Sequence, residues 1–116
     1  MRNAIFHNPR CSKSRQTLAL LEERGVELET VFYLETPPSA DELAEICRGL
    51  GVTPLQIMRT KEARFAELGL SPSDVRSDGE WMALMISNPI LIERPIVTYK
   101  GRVAVGRPPE SVLAIL

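Results

Sequence analysis

A thiol crowded by cations carries the most chemistry in this chain. Cys11 lies in His7-Asn8-Pro9-Arg10-Cys11-Ser12-Lys13-Ser14-Arg15. The apolar run Ala4-Ile5-Phe6 ahead of it reads as a buried strand and Asn8-Pro9 breaks that strand. Ser12 or Ser14 suits the N-cap of a helix running through Leu18 and Leu21 to Gly25. This spacing puts Cys11 at a helix N-terminus, where unpaired N–H groups and the positive dipole end favour an anion. Arg10, Lys13 and Arg15 add positive charge within the same few residues. A free thiol titrates near ~8.5, and thiols in such surroundings fall to roughly 3.5–7.5. Each pKa unit is about 1.4 kcal/mol, so a dipole worth ~1 kcal/mol plus one close cation suffices to make Cys11 partly thiolate at neutral pH. The bland alternative is a small buried hydrophobe, and the polar, basic, turn-forming neighbours argue against it.

Three arginines lie beside turns: Arg59 after a short helical segment, Arg94 before Pro95, and Arg107 before Pro108-Pro109. A residue before proline is biased toward extended geometry, which directs a guanidinium, and the planar fork suits tetrahedral oxyanions. Spacing alone does not bring these arginines together, and a solvated surface role stays open for each. Other thiol chemistries fit less well. A cysteine phosphatase loop would want arginine six residues after the nucleophile, where this chain has Thr17. A dithiol oxidoreductase needs C-x-x-C, and the position three after Cys11 is Ser14. His7 has two open readings, support of the thiolate or a strand-end cap. Cys47 falls with Leu43, Ile46 and Leu50 on one helical face, which reads as core packing.

The elements that must position these groups follow from pattern. Leu28-Glu29-Thr30-Val31-Phe32-Tyr33 reads as a second strand, so strand, helix and strand make a βαβ unit with parallel strands. That unit places the Cys11 loop at the carboxyl edge of a sheet, where open α/β sheets bind ligands. Ser39 with Glu42 and Ser77 with Glu80 are capping boxes. Thr53-Pro54 opens a short helix, Lys61 to Leu68 looks helical, and the middle of the chain from about Ser39 to Ser87 is a helical insertion. The run Ile90-Leu91-Ile92 brings the chain back to the sheet, Ile96–Tyr99 and Arg102–Val105 form a hairpin around Lys100-Gly101, and Glu110 to Leu116 is a last helix. The fold class is α/β, a small mixed β-sheet flanked by helices, with the helical insertion between the N-terminal βαβ unit and the C-terminal β-hairpin.

At 116 residues with 44% apolar and 25% charged content, the chain is expected to be a single soluble domain. Fourteen basic and fifteen acidic residues leave a net charge of −1, so no nucleic-acid or membrane partner is expected and any anion affinity must be local. Two cysteines and one histidine are too few for a recognisable metal site. The N-terminus lacks an apolar signal core and the longest apolar run is too short to span a bilayer, which points to the cytoplasm.

The segments His7 to Arg15, Tyr33-Leu34-Glu35-Thr36-Pro37, Met58-Arg59, Glu67-Leu68-Gly69-Leu70, Glu93-Arg94-Pro95-Ile96-Val97 and Gly106-Arg107-Pro108-Pro109-Glu110 run in order across nearly the whole chain. In them the sequence resembles the thioredoxin-fold arsenate reductases that use glutathione and glutaredoxin, most closely the short bacterial members. The resemblance implies one thioredoxin-like arsenate reductase domain over residues 1–116, with Cys11 as nucleophile and Arg59, Arg94 and Arg107 holding the oxyanion. It also implies a cis peptide before Pro95 and supporting roles for His7, Ser14 and Arg15. Arsenate is then the substrate, glutathione the co-substrate and glutaredoxin the protein partner, with no bound cofactor, in a chain expected to be a monomer. Arg10 and Ser12 depart from the best-studied type, which carries smaller residues beside the cysteine, a difference that bears on substrate access. Two alternatives remain at this point: a general monothiol glutathione-linked oxidoreductase, and a non-enzymatic redox regulator binding RNA polymerase. The sensors of the latter kind resemble C-x-x-C proteins, and Ser14 argues against that switch.

Overall fold

The three residues Ala4–Phe6 form strand β1, and each is almost completely shielded from solvent, as a strand paired on both sides requires. A computed structural model describes all residues, Met1–Leu116. Strand β2 (Glu29–Val31) lies parallel to β1, and β3 (Ile96–Tyr99) antiparallel on its other side, with β4 (Arg102–Val105) outermost, giving the order β2-β1-β3-β4. The βαβ reading therefore holds, with helix α1 (Ser12–Glu23) as the crossover. Strand β2 is shorter than the apolar pattern suggested: pairing stops at Val31, although His7 N–H still donates to Val31 O at 2.8 Å.

Register explains the core of this half. Ile5 stands opposite Val97, and Val97 opposite Ala104, so one row crosses three strands on a single face. Leu21 of α1 and Val112 and Ile115 of the C-terminal segment pack on that row. Fully burying each large aliphatic side chain stabilises by roughly 1.5–3 kcal/mol, which ties α1, and hence Cys11, to the sheet. The last helix, expected from Glu110 to Leu116, is a 3-10 helix over Pro109–Ile115, with Pro109 in its first turn. Thr98, also wholly buried, is satisfied by accepting from Ala4 N–H (3.1 Å) and donating to Arg2 O (2.7 Å). The hairpin turns through Lys100 (φ 49°) and Gly101 (φ 78°), the two positive φ values a tight two-residue hairpin demands.

The chain divides into two compact units, Met1–Thr36 with Arg94–Leu116, and Pro37–Glu93. The second unit is the expected helical insertion. Ser39 Oγ accepts from Glu42 N–H at 3.1 Å to open α2 (Ala40–Leu50), whose Leu43, Ile46 and Cys47 are buried. Gly51 closes α2 in the left-handed region (φ 69°). A 3-10 turn at Pro54–Ile57 follows, then α3 (Ala63–Glu67), shorter than expected, and α4 (Asp78–Ser87), capped by Ser77 with Glu80 as the box predicts. Phe65 and Trp81 stack with ring centroids 6.3 Å apart. The apolar run at 90–92 is not a strand: Pro89–Leu91 form another 3-10 turn, and a single bridge joins Met58 to Ile92. No helix is long and apolar enough to cross a membrane.

Candidate active site

The residue before α1 is Cys11 itself. It occupies the N-cap position with extended backbone (φ −93°, ψ 122°), so neither Ser12 nor Ser14 caps the helix as the sequence suggested. The thiol makes no capping hydrogen bond, but the backbone N–H groups of Ser14 and Lys13 at the open helix end favour its charged form. Burial pushes the Cys11 thiol up. Against it act, in decreasing order, the Ser14 N–H, the Arg94 charge, the Lys13 N–H and the Arg107 charge, and together they hold the thiol below its ordinary value.

The cations that activate the sulfur are not the ones the sequence placed next to it. The Arg10 guanidinium, the Lys13 ammonium and the Arg15 guanidinium have no part in lowering the thiol, and Lys13 acts through its backbone. Arg15 instead donates from Nη1 to Pro9 O (3.0 Å), bracing the loop from outside. Arg94 and Arg107 arrive from the far end of the chain. Arg107 Nη2 lies 3.6 Å from Cys11 Sγ, and its Nε donates to Arg94 O at 2.8 Å. Of the two charges, Arg94, which is half-buried, lowers the thiol more than the exposed Arg107 does.

Both arginines precede a cis proline, Pro95 and Pro108. The two loops are fastened by Gly106, whose N–H donates to Pro95 O at 2.9 Å. A Cβ at Gly106 would overlap Thr17 Oγ1 and Pro95 Cγ, so the close approach of α1, the Pro95 loop and the end of β4 depends on the missing side chain. Thr17 Oγ1 meanwhile donates to Lys13 O at 2.8 Å inside α1. Gly106 and Thr17 went unrecognised as positioning residues in the sequence. The available signal was the run Ser14, Thr17, Leu21, a helical face that is polar where it meets the site and is nevertheless buried.

His7 and Ser14 act on the loop. Ser14 Oγ accepts from Asn8 N–H (3.0 Å) and sits 2.7 Å from His7 Nδ1. Burial, then the Arg15 charge, lower the His7 pKa, with Glu22 opposing, so the ring is neutral at neutral pH. A consistent pattern has the Ser14 hydroxyl donating to Nδ1, with the ring proton on the other nitrogen. Cys11 N–H donates to Asn8 O at 3.0 Å, which closes the turn. One serine therefore ties the loop with its hydroxyl and serves the sulfur with its amide. Ser14→Ala is expected to raise the Cys11 pKa, read as thiolate ultraviolet absorbance against pH, while far-ultraviolet circular dichroism stays unchanged; an unmoved titration would remove the serine from this role.

The two remaining candidates lie in the Pro37–Glu93 unit. Arg59 N–H donates to Leu91 O at 2.7 Å beside the Met58–Ile92 bridge, and Arg59 Nη1 pairs with Glu62 at 2.8 Å. Cys47 is a buried free thiol, pushed up by burial and then by the Asp78 charge, the opposite of an activated nucleophile.

A cysteine at the mouth of α1, two arginines whose charges lower its thiol and a cis proline just before β3 are the marks of a thioredoxin-like fold. Residues 6–115 match the model of the ArsC family, and the chain belongs to that family. It is 49% identical over 113 residues to an arsenate reductase of Neisseria meningitidis serogroup A, covering 97% of this chain and 96% of the relative. It is 50% identical, over 97% of this chain and 94% of the relative, to the uncharacterized protein YfgD of Escherichia coli. The solved arsenate reductase of Vibrio cholerae superimposes with a TM-score of 0.90 at 47% identity, covering both chains completely.

Proposed function

We propose that this chain reduces arsenate to arsenite, with Cys11 as the nucleophile and glutathione as the source of electrons. The observation that carries this reading is the Cys11 sulfur facing the Ser14 and Lys13 amides and the Arg107 guanidinium at 3.6 Å, a set of donors that stabilises both a thiolate and an incoming oxyanion. The relatives named arsenate reductase, at 40–49% identity over nearly the full length, supply the substrate.

The thiolate forms a bond to As(V) of hydrogen arsenate, and two protons carry one arsenate oxygen away as water. Arg94 and Arg107 offset the charge of the dianion while that oxygen leaves. A glutathione thiolate then attacks the Cys11 sulfur. The sulfur–arsenic bond breaks with its electron pair going to arsenic, and two further protons complete arsenous acid. Cys11 is left in a mixed disulfide with glutathione, and a glutaredoxin thiolate attacks the glutathione sulfur, returning Cys11 as thiolate. The Ser14 position rules out an internal C-x-x-C resolution, so the reductants come from outside, as in a reducing cytoplasm. Arg59 enters this reading from its sequence motif alone. Charge and shape hardly separate arsenate from phosphate, and discrimination rests on the reducible sulfur–arsenic bond.

The test is arsenite production by the purified chain with arsenate, glutathione and glutaredoxin. Turnover that requires all three is expected, and arsenite no higher than in a reaction lacking the chain would overturn the proposal.

A further inference from the structure

Behind the Cys11 loop lies a groove that the oxyanion chemistry leaves unused. Its volume is about 320 Å³, with residues 7–10 as one wall and Phe32, Leu34 and Glu35 as the other. That volume is at the lower end of small-molecule sites. Phe32 and Leu34 are 48% and 42% exposed, while Tyr33 between them is buried, so the chain leaving β2 turns two large apolar side chains outward on either side of an anchoring one. The rim carries one charge of each sign. Neither the Arg10 guanidinium nor the Glu35 carboxylate has an ion-pair partner in the chain, and Arg10 uses only its backbone N–H, on Asn8 Oδ1 at 3.0 Å. Arg10 also has no part in activating the Cys11 thiol, although it is the adjacent residue.

A ligand for such a groove is a short, extended zwitterion, with carboxylate for Arg10, ammonium for Glu35, and amide and methylene surface for Phe32 and Leu34. It must also bring something to Cys11, whose Cα is one trans peptide, about 3.8 Å, from that of Arg10. We propose that this groove holds glutathione, a carboxylate on Arg10 and the ammonium on Glu35, so that its thiol is delivered to the Cys11 sulfur. The assignment rests on the arsenate-reducing reading and supplies the position of its co-substrate.

The experiment has a binding arm and a kinetic arm. In the Cys11→Ser chain, S-methylglutathione is titrated while backbone amide resonances are followed by NMR; shifts are expected to concentrate at residues 7–10 and 32–35. In the kinetic arm, Arg10→Gln combined with Glu35→Gln is expected to raise the KM for glutathione about tenfold, since exposed charge contacts are individually weak. The arsenate KM, and turnover with 2-mercaptoethanol, which carries no charged group, are expected to stay within about twofold. An unchanged glutathione KM, an equal loss with both thiols, shifts outside the groove, or shifts produced by glutaredoxin but not by S-methylglutathione would each overturn the assignment. An unsubstituted chain that makes no arsenite at all would instead sink the functional reading, whatever the NMR arm shows.

Discussion

Replacing Cys11 by serine is expected to abolish arsenite formation, a fall of about 10⁴-fold or more, at ~1.4 kcal/mol for each factor of ten. The size follows from the chemistry. A serine hydroxyl at the same N-cap can still hydrogen-bond, but at neutral pH it is a far weaker nucleophile than a thiolate, and an oxygen–arsenic bond cannot be broken by a thiol to yield a disulfide and As(III). The substitution removes one atom type from a site whose fold depends on other contacts: Leu21 on the sheet and Ser14 on Asn8 stay as they are. Arsenate should therefore still bind to the Cys11→Ser chain, which separates loss of chemistry from loss of the pocket. Cys47→Ala is the control. Its thiol is buried and raised, so turnover should stay within about twofold while roughly 1–2 kcal/mol of stability is lost to the small void, measured by urea unfolding. Equal activity losses in the two variants would show that Cys47 takes part in the reaction.

Arg107→Ala is expected to have the next largest effect, lowering kcat/KM for arsenate by about 10²–10³-fold, the usual consequence of removing one preorganised donor from a developing oxyanion. Three losses coincide. The contact at 3.6 Å to the sulfur disappears, so the Cys11 pKa rises and less thiolate is present at neutral pH. In the proposed reaction a guanidinium is also lost to the arsenate oxygens. The Nε bond to Arg94 O is also gone, which frees the loop carrying the second arginine. The sign of the pH dependence follows. A thiol held below its ordinary value reacts at full rate above that lowered pKa and loses rate as pH falls through it, so Arg107→Ala shifts the alkylation profile of Cys11 to higher pH. Arg107→Lys keeps a charge without the planar fork and should recover the alkylation profile better than the arsenate kinetics. An alkylation profile that does not move in Arg107→Ala would separate this arginine from the thiol.

Arg94→Ala should move that profile in the same direction. Its charge counts for more than that of Arg107, and it is the less exposed of the two. The exposed Lys13→Ala should leave the profile nearly unchanged, since only the Lys13 amide acts on the thiol. The contrast distinguishes activation by backbone and distant arginines from activation by whichever cations are nearest in sequence.

The cysteine at a helix start, the elements around it and the absence of a C-x-x-C partner were legible from the sequence because each is a local property. A strand followed by a turn and a helix start, the two serine caps and the two-residue hairpin turn all depend on side chains within a few positions of each other. The helix cap falls at Cys11 rather than at Ser12 or Ser14, since a thiol at the N-cap does not carry the usual oxygen signal. Tertiary structure alone decided which cations matter. Arg10, Lys13 and Arg15 are close in sequence, yet their side chains are not among the causes that lower the thiol, while Arg107 comes from 96 residues away. That convergence needs the β1–β3–β4 register, the buried row from Ile5 to Ala104 and a glycine small enough to let the Pro95 loop and α1 meet. Charge acts through space and a sequence records only order along the chain, so the placing of Arg94 and Arg107 around the thiol became visible once the sheet had brought the two ends together.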